Sequence, residues 1–93
     1  MMITMPLYES PARDGNENKY GYGMTETAQC ICCMKPIQNP ARAYSVHMNT
    51  DWLAVHPSIS EDLCAAETGA DSQGWWDVGP ECAKHMKDFT VKN

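Results

Sequence analysis

Apolar and polar residues alternate along residues 41–49, which predicts a β-strand. Ala41, Ala43, Ser45, His47 and Asn49 fall on one face, and Arg42, Tyr44, Val46 and Met48 on the other. The second set is the expected core face. Trp52, Leu53, Ala54 and Val55 predict a second short strand. Ser58 followed by Glu61 has the spacing of a capping box, so a short helix is expected from there to about residue 68, with Gly69 as its stop. Ile59, Leu63 and Ala66 share one face of that helix. Residues 69–74 form a polar, acidic loop, and 74–78, rich in aromatic and branched side chains, predict another strand. Gly79 and Pro80 turn the chain into a last helix over 81–89. Pro80 suits its first turn, Glu81 its positive end, and Lys84 and Lys87 its negative end. Residues 1–28 break the pattern. The polar run 10–19 has almost nothing to bury, and Tyr20 and Tyr22 alternate with glycines. This stretch reads as a flexible or extended N-terminal arm, because so little apolar surface cannot offset the entropy of ordering it. The tyrosines are expected either to stay mobile or to dock on the domain or a partner.

The remaining residues, 29–93, make one small domain. A domain of this size has a marginal core and usually needs a staple. Five cysteines in 93 residues point to a cysteine-based one. Their number is odd, and the N-terminal residues lack the basic and then apolar run of a secretory signal. A reducing, cytoplasmic location and a metal, rather than disulfides, are therefore expected. No apolar stretch approaches the roughly 20 residues that span a bilayer.

A structural zinc ion takes four tetrahedral ligands from cysteine and histidine. Cys30 and Cys33 have the two-residue gap that aims both sulfurs into one concavity. Cys82 and His85 stand three residues apart on the first turn of the last helix, and so share a face. These four are the expected ligands of one zinc ion. Cys32 is expected to be a bystander, with a shifted register in which it replaces Cys30 or Cys33 as the alternative. Cys64 reads as a small buried hydrophobe. His47 and His56 read as packing or surface residues. Trp75 and Trp76, adjacent on a strand, must face opposite ways, so one of them is covered by another segment or exposed for a partner.

A knuckle with Cys30 and Cys33, a hairpin of strands 41–49 and 74–78, and a helix entered through Gly79, Pro80, Glu81 and Cys82 together resemble the treble-clef zinc finger. The resemblance covers residues 30–89. It implies a small α+β domain of knuckle, β-hairpin and C-terminal helix, held by one structural zinc, here with a short helical insertion. Two departures mark this chain. Met34 stands where treble-clef knuckles usually carry glycine, and the hairpin is interrupted by an insertion over about 50–73.

Charge narrows the function. The net charge is −5, and no Lys or Arg occurs between Arg42 and Lys84. That interval holds Asp51, Glu61, Asp62, Glu67 and Asp71. A nucleic-acid binder needs clustered cations, so direct DNA or RNA binding is disfavoured. Four ligands would close the metal's coordination sphere, which argues against catalysis. The expected activity is binding to another protein with a basic surface, through Asp51, Glu61, Asp62, Glu67, Asp71 and Trp75. In size, charge and economy the chain is similar to small phage-encoded inhibitors of host defence, anti-CRISPR proteins among them. Two alternatives stand: a nucleic-acid-binding zinc-finger regulator using Lys35, Arg42, Lys84 and Lys87, and a nuclease of the His-Asn-His kind drawn from His47 and Asn49. Both monomer and homodimer remain open.

Overall fold

A computed structural model describes residues 2–22 and 27–92. Their elements in chain order are β1 (Thr4–Pro6), α1 (Arg13–Tyr20), β2 (Tyr44–Asn49), β3 (Leu53–Val55), α2 (Cys64–Thr68), β4 (Ser72–Val78), α3 (Pro80–Ala83) and β5 (Thr90–Lys92). The α+β class expected from the sequence is what forms.

Every strand pairing is antiparallel, and β2 is the hub. β4 takes one whole edge of it, from Tyr44 opposite Val78 to Asn49 opposite Ser72, with an irregularity between His47 and Asn49. Two strands divide the other edge. β5 pairs with Tyr44–Val46, and β3 with His47 and Met48. β1 adds to the outer edge of β3. Part of the segment read as an arm is thus an edge strand of the sheet. Residues 23–26 of that segment lie outside the described residues.

The predicted alternation in β2 holds from Tyr44 to Asn49, but both faces are covered. Val46 and Met48 enter the main core with Ala54, Val78, Met86 and Phe89, and Trp76 packs against it. On the opposite face, the insertion folds back and buries His47 and Asn49 completely. Val55, Ile59 and Cys64 form a second, smaller core there. Arg42, assigned to the core face, precedes the strand and is exposed.

Burying two polar side chains is tolerable because each of their polar side-chain atoms has a hydrogen-bond partner. The His47 ring lies between the Ile59 carbonyl, 3.1 Å from Nδ1, and the Ser72 hydroxyl, 2.6 Å from Nε2. A carbonyl can only accept, so Nδ1 donates to Ile59 and Nε2 accepts from Ser72. Asn49 Oδ1 accepts from the backbone N–H of Asp51 and Leu53 at 3.0 and 3.1 Å, and its Nδ2 donates to Thr68 at 3.2 Å. These bonds set the tight turn between β2 and β3 and fasten α2 to the sheet.

The insertion helix differs from its predicted start. Ser58 bonds His56 at 2.7 Å and caps nothing, and the helical turn begins only at Glu61. Of the predicted apolar face, Ile59 is buried, but Leu63 and Ala66 are exposed, and Cys64 points inward instead. Gly69 does stop α2: its φ of 82° is left-handed, and its N–H bonds the Ala65 carbonyl at 2.9 Å. The last helix is shorter than predicted. α3 has four residues and tightens into a 3-10 turn at Lys84–Met86, after which the chain turns into β5. Among the described residues, no helix is long and apolar enough to cross a membrane.

Candidate metal centre

The knuckle begins with a bridge between Gln29 and Pro36. Within it, the Cys30 N–H bonds the Lys35 carbonyl at 3.0 Å, and the Met34 N–H bonds the Cys30 carbonyl at 2.7 Å. Closing so tight a turn needs a left-handed residue, and Met34 supplies it with φ of 63°. That conformation costs a residue with Cβ about 1–2 kcal/mol. Burying the Met34 side chain, which is 2% exposed, returns about 1.5–3 kcal/mol. The departure from glycine is therefore affordable in this chain.

Cys82 approaches from the other side of the sheet's end. The Ile31 N–H bonds the Asp77 carbonyl at 3.0 Å, docking the knuckle on the last turn of β4. A Cβ added at Gly79 would come to 3.8 Å from Cys30 Sγ, so the backbone there runs close to the cysteine. Pro80 then opens α3, whose first turn carries Cys82 inward. As a result the sulfurs of Cys30, Cys33 and Cys82 all lie within 4.8 Å of one another. All the cysteines are free thiols. Three convergent sulfurs are a donor set suited to a soft or borderline divalent ion.

Crowding polarises these thiols. Cys32 and Cys82 donate hydrogen bonds toward Cys30, which holds its thiol far below the usual range despite burial. Cys32 moves up, because it donates to Cys30 and Cys82 and is buried as well. Cys33 is raised mainly by burial, and Cys82 mainly by its bond to Cys30. A metal ion bound by these sulfurs would displace their protons.

His85, the fourth expected ligand, is not part of this group. It is exposed, and its ring lies flat on Tyr8, with centroids 4.0 Å apart and planes 6° apart. The N-terminal segment causes this. The Tyr8 N–H reaches Met86 Sδ at 3.5 Å, which sets the phenol beside the last helical turn. The same segment fastens the knuckle. The Ser10 N–H bonds the Cys32 carbonyl at 3.0 Å, the Arg13 guanidinium the Ile31 carbonyl at 3.0 Å, and the Asn16 amide the Cys33 carbonyl at 2.8 Å. Sequence reasoning missed these three residues. They sit in the polar run whose partners lie 17 or more positions away, and no local pattern announces such pairings.

Cys30, Cys33 and Cys82 line a cleft of about 390 Å³, together with Lys35, Arg42 and Glu81. The other predicted interaction residues lie at the opposite end of β2. Asp51, Glu61, Asp62, Glu67 and Asp71 are all exposed. Trp75 is 43% exposed and stacks on His47 at 5.2 Å. Trp52, also exposed, tilts against Trp76. Comparison with protein-family models, curated proteins and solved structures gives no match for this chain.

Proposed function

We propose that this chain is a small, non-enzymatic, zinc-stabilised protein-binding module of treble-clef type. Its metal-bound frame holds out an acidic insertion to a basic surface on another protein. The observation that carries this reading is the polarity of the molecule. The cysteine cluster gathers where β2 begins, and every acidic residue of the insertion named above is exposed where β2 ends. A six-residue strand separates the two ends by roughly 17–20 Å. Exposed Trp75 and Leu63 belong to the insertion's side of the sheet, where Trp75 stacks on His47, whereas Trp52 tilts against Trp76 on the other face. Aromatic anchors within a charged rim are what protein interfaces use.

An acidic surface of this kind suits a basic groove built for nucleic acid, since complementary potential speeds encounter and fixes orientation. An inhibitor of a nucleic-acid-handling defence complex fits that description. The regulator alternative has less support: Lys84 is drawn to Glu81 at 3.3 Å, and Glu81 also lines the cleft that holds Lys35 and Arg42. The nuclease alternative has less still, because His47 and Asn49 are buried and bonded internally.

The test is affinity capture from host extract with the wild-type chain and with a variant carrying Asp51→Lys, Glu61→Lys, Asp62→Lys, Glu67→Lys and Asp71→Lys. The partner retained by the wild type should be released by moderate salt and missed by the folded variant. Equal retention by both proteins refutes the reading.

A further inference from the structure

We propose that Trp52 is a recognition residue: its indole and the Glu9 carboxylate take a lysine or arginine side chain of the partner in a second cleft. The proposal rests on the protein-binding reading above and adds a contact on the other face of the sheet from Trp75. The cleft, of about 530 Å³, lies where the N-terminal segment passes the turn between β2 and β3. It is lined by Pro6, Leu7, Glu9, Arg13, Trp52 and Leu53.

Trp52 holds an unusual backbone conformation. Its φ is 60°, in the left-handed region that a bulky side chain seldom enters. Asn49 imposes it. The Asn49 carbonyl accepts from the Trp52 N–H at 3.1 Å, and its Oδ1 accepts from the N–H groups of Asp51 and Leu53 on either side. Met34 adopts the same conformation but is buried in the core. Trp52 keeps it with 47% of its surface exposed, and belongs to neither buried cluster. Strain held in place by surrounding bonds collects at binding sites, where it fixes a side chain in advance. Here the side chain fixed is an indole, braced by Trp76 at 5.9 Å and forming one wall of the cleft.

The lining names the ligand. An indole face attracts a cation that comes within about 6 Å of the ring centre. Of the two charged residues in the lining, Arg13 is held to the knuckle, where its Nη1 donates to the Ile31 carbonyl at 3.0 Å. Glu9 is exposed and has no ion pair among the described residues. Asp51, beside Trp52, is exposed too. Pro6, Leu7 and Leu53 suit the aliphatic stem of a long cationic side chain. An aromatic face, a carboxylate and an apolar lining together fit lysine or arginine, and the net charge of −5 favours the approach of a basic segment.

Titration of the full chain with a hexa-arginine peptide at low salt, followed by proton–nitrogen NMR, tests this. The Trp52 indole signal, identified as the one lost in Trp52→Gly, should move together with the Glu9 and Leu53 amides. Trp52→Gly keeps the left-handed turn, because glycine adopts it freely, and should weaken the peptide about fivefold with the rest of its spectrum preserved. Glu9→Gln should weaken it about threefold at an unchanged melting temperature. Hexa-glutamate should move none of these signals. Shifts confined to the insertion and Trp75, with wild-type affinity in both variants, overturn the cleft and leave the protein-binding reading standing. Hexa-glutamate shifting Trp52 and Arg13 overturns it in favour of an anion site at Arg13. Hexa-arginine that moves nothing also overturns the cleft, and capture from host extract then decides the broader reading separately.

Discussion

Asn49 is the sharpest place to test whether the insertion is truly fastened to the sheet. Asn49→Ala removes three side-chain hydrogen bonds at once: those from Asp51 and Leu53, and that to Thr68. Each is worth about 1 kcal/mol net, and more where a shielded N–H is left without a partner. The loss should be about 3 kcal/mol. A domain of this size holds only about 5–15 kcal/mol, so this is a large fraction of the total. At about 4–8 °C per kcal/mol, the melting temperature should fall by roughly 12–24 °C. Thermal and urea unfolding of both proteins at saturating zinc provide the measurement. Thr68→Ala offers a cross-check, since the Asn49 amide donates to the Thr68 hydroxyl. The double variant should be less destabilised than the two singles added together, by about 0.5–1.5 kcal/mol. An Asn49→Ala protein within about 0.5 kcal/mol of wild type refutes the idea that this residue fastens the insertion.

Three further outcomes are expected. Removing metal with a chelator should abolish the cooperative thermal transition, because structural zinc contributes folding free energy outright; an unchanged far-UV spectrum and melting curve refute a structural ion. Met34→Gly should destabilise the domain by about 1–3 kcal/mol, but by less than Met34→Ala, since only glycine relieves the left-handed strain while both lose the buried side chain; the reverse order in urea melts refutes that account. Tyr8→Ala and His85→Ala should each cost about 0.5–1.5 kcal/mol with strong non-additivity, because each removes the same stacked pair; additive losses in a double-mutant cycle refute the contact.

Much of the architecture could be read from local pattern. The alternation of residues 44–49, the left-handed stop at Gly69 and the opposed faces of Trp75 and Trp76 all depend on neighbours a few residues apart. The gathering of Cys30, Cys33 and Cys82 was legible because metal-ligand spacing is itself a local code. Features set by distant partners were not legible. β1 and β5 are three residues each, too short to show a period, and exist because β3 and β2 offer them edges. His47 and Asn49 look like solvent-facing positions until the insertion covers them. Ser58 and Glu61 satisfy a capping rule, yet His56 takes the hydroxyl and the Glu61 carboxylate turns toward Ser72, 3.4 Å away. His85 has ligand spacing, and a tyrosine 77 positions earlier decides where its ring goes.

The cysteine centre also has a consequence for the order in which the chain assembles. The knuckle sulfurs and Cys82 are separated by about fifty residues, and closing a loop of that length costs roughly 3–4 kcal/mol of chain entropy. During synthesis the knuckle emerges well before Cys82, so an ion caught early sits on an unfinished site and exchanges freely. Cys82 follows β4 directly, so pairing of β4 with β2 should bring the last sulfur into place. An ion held by all three sulfurs would then act as a latch across that loop, and its release should be as slow as unfolding itself.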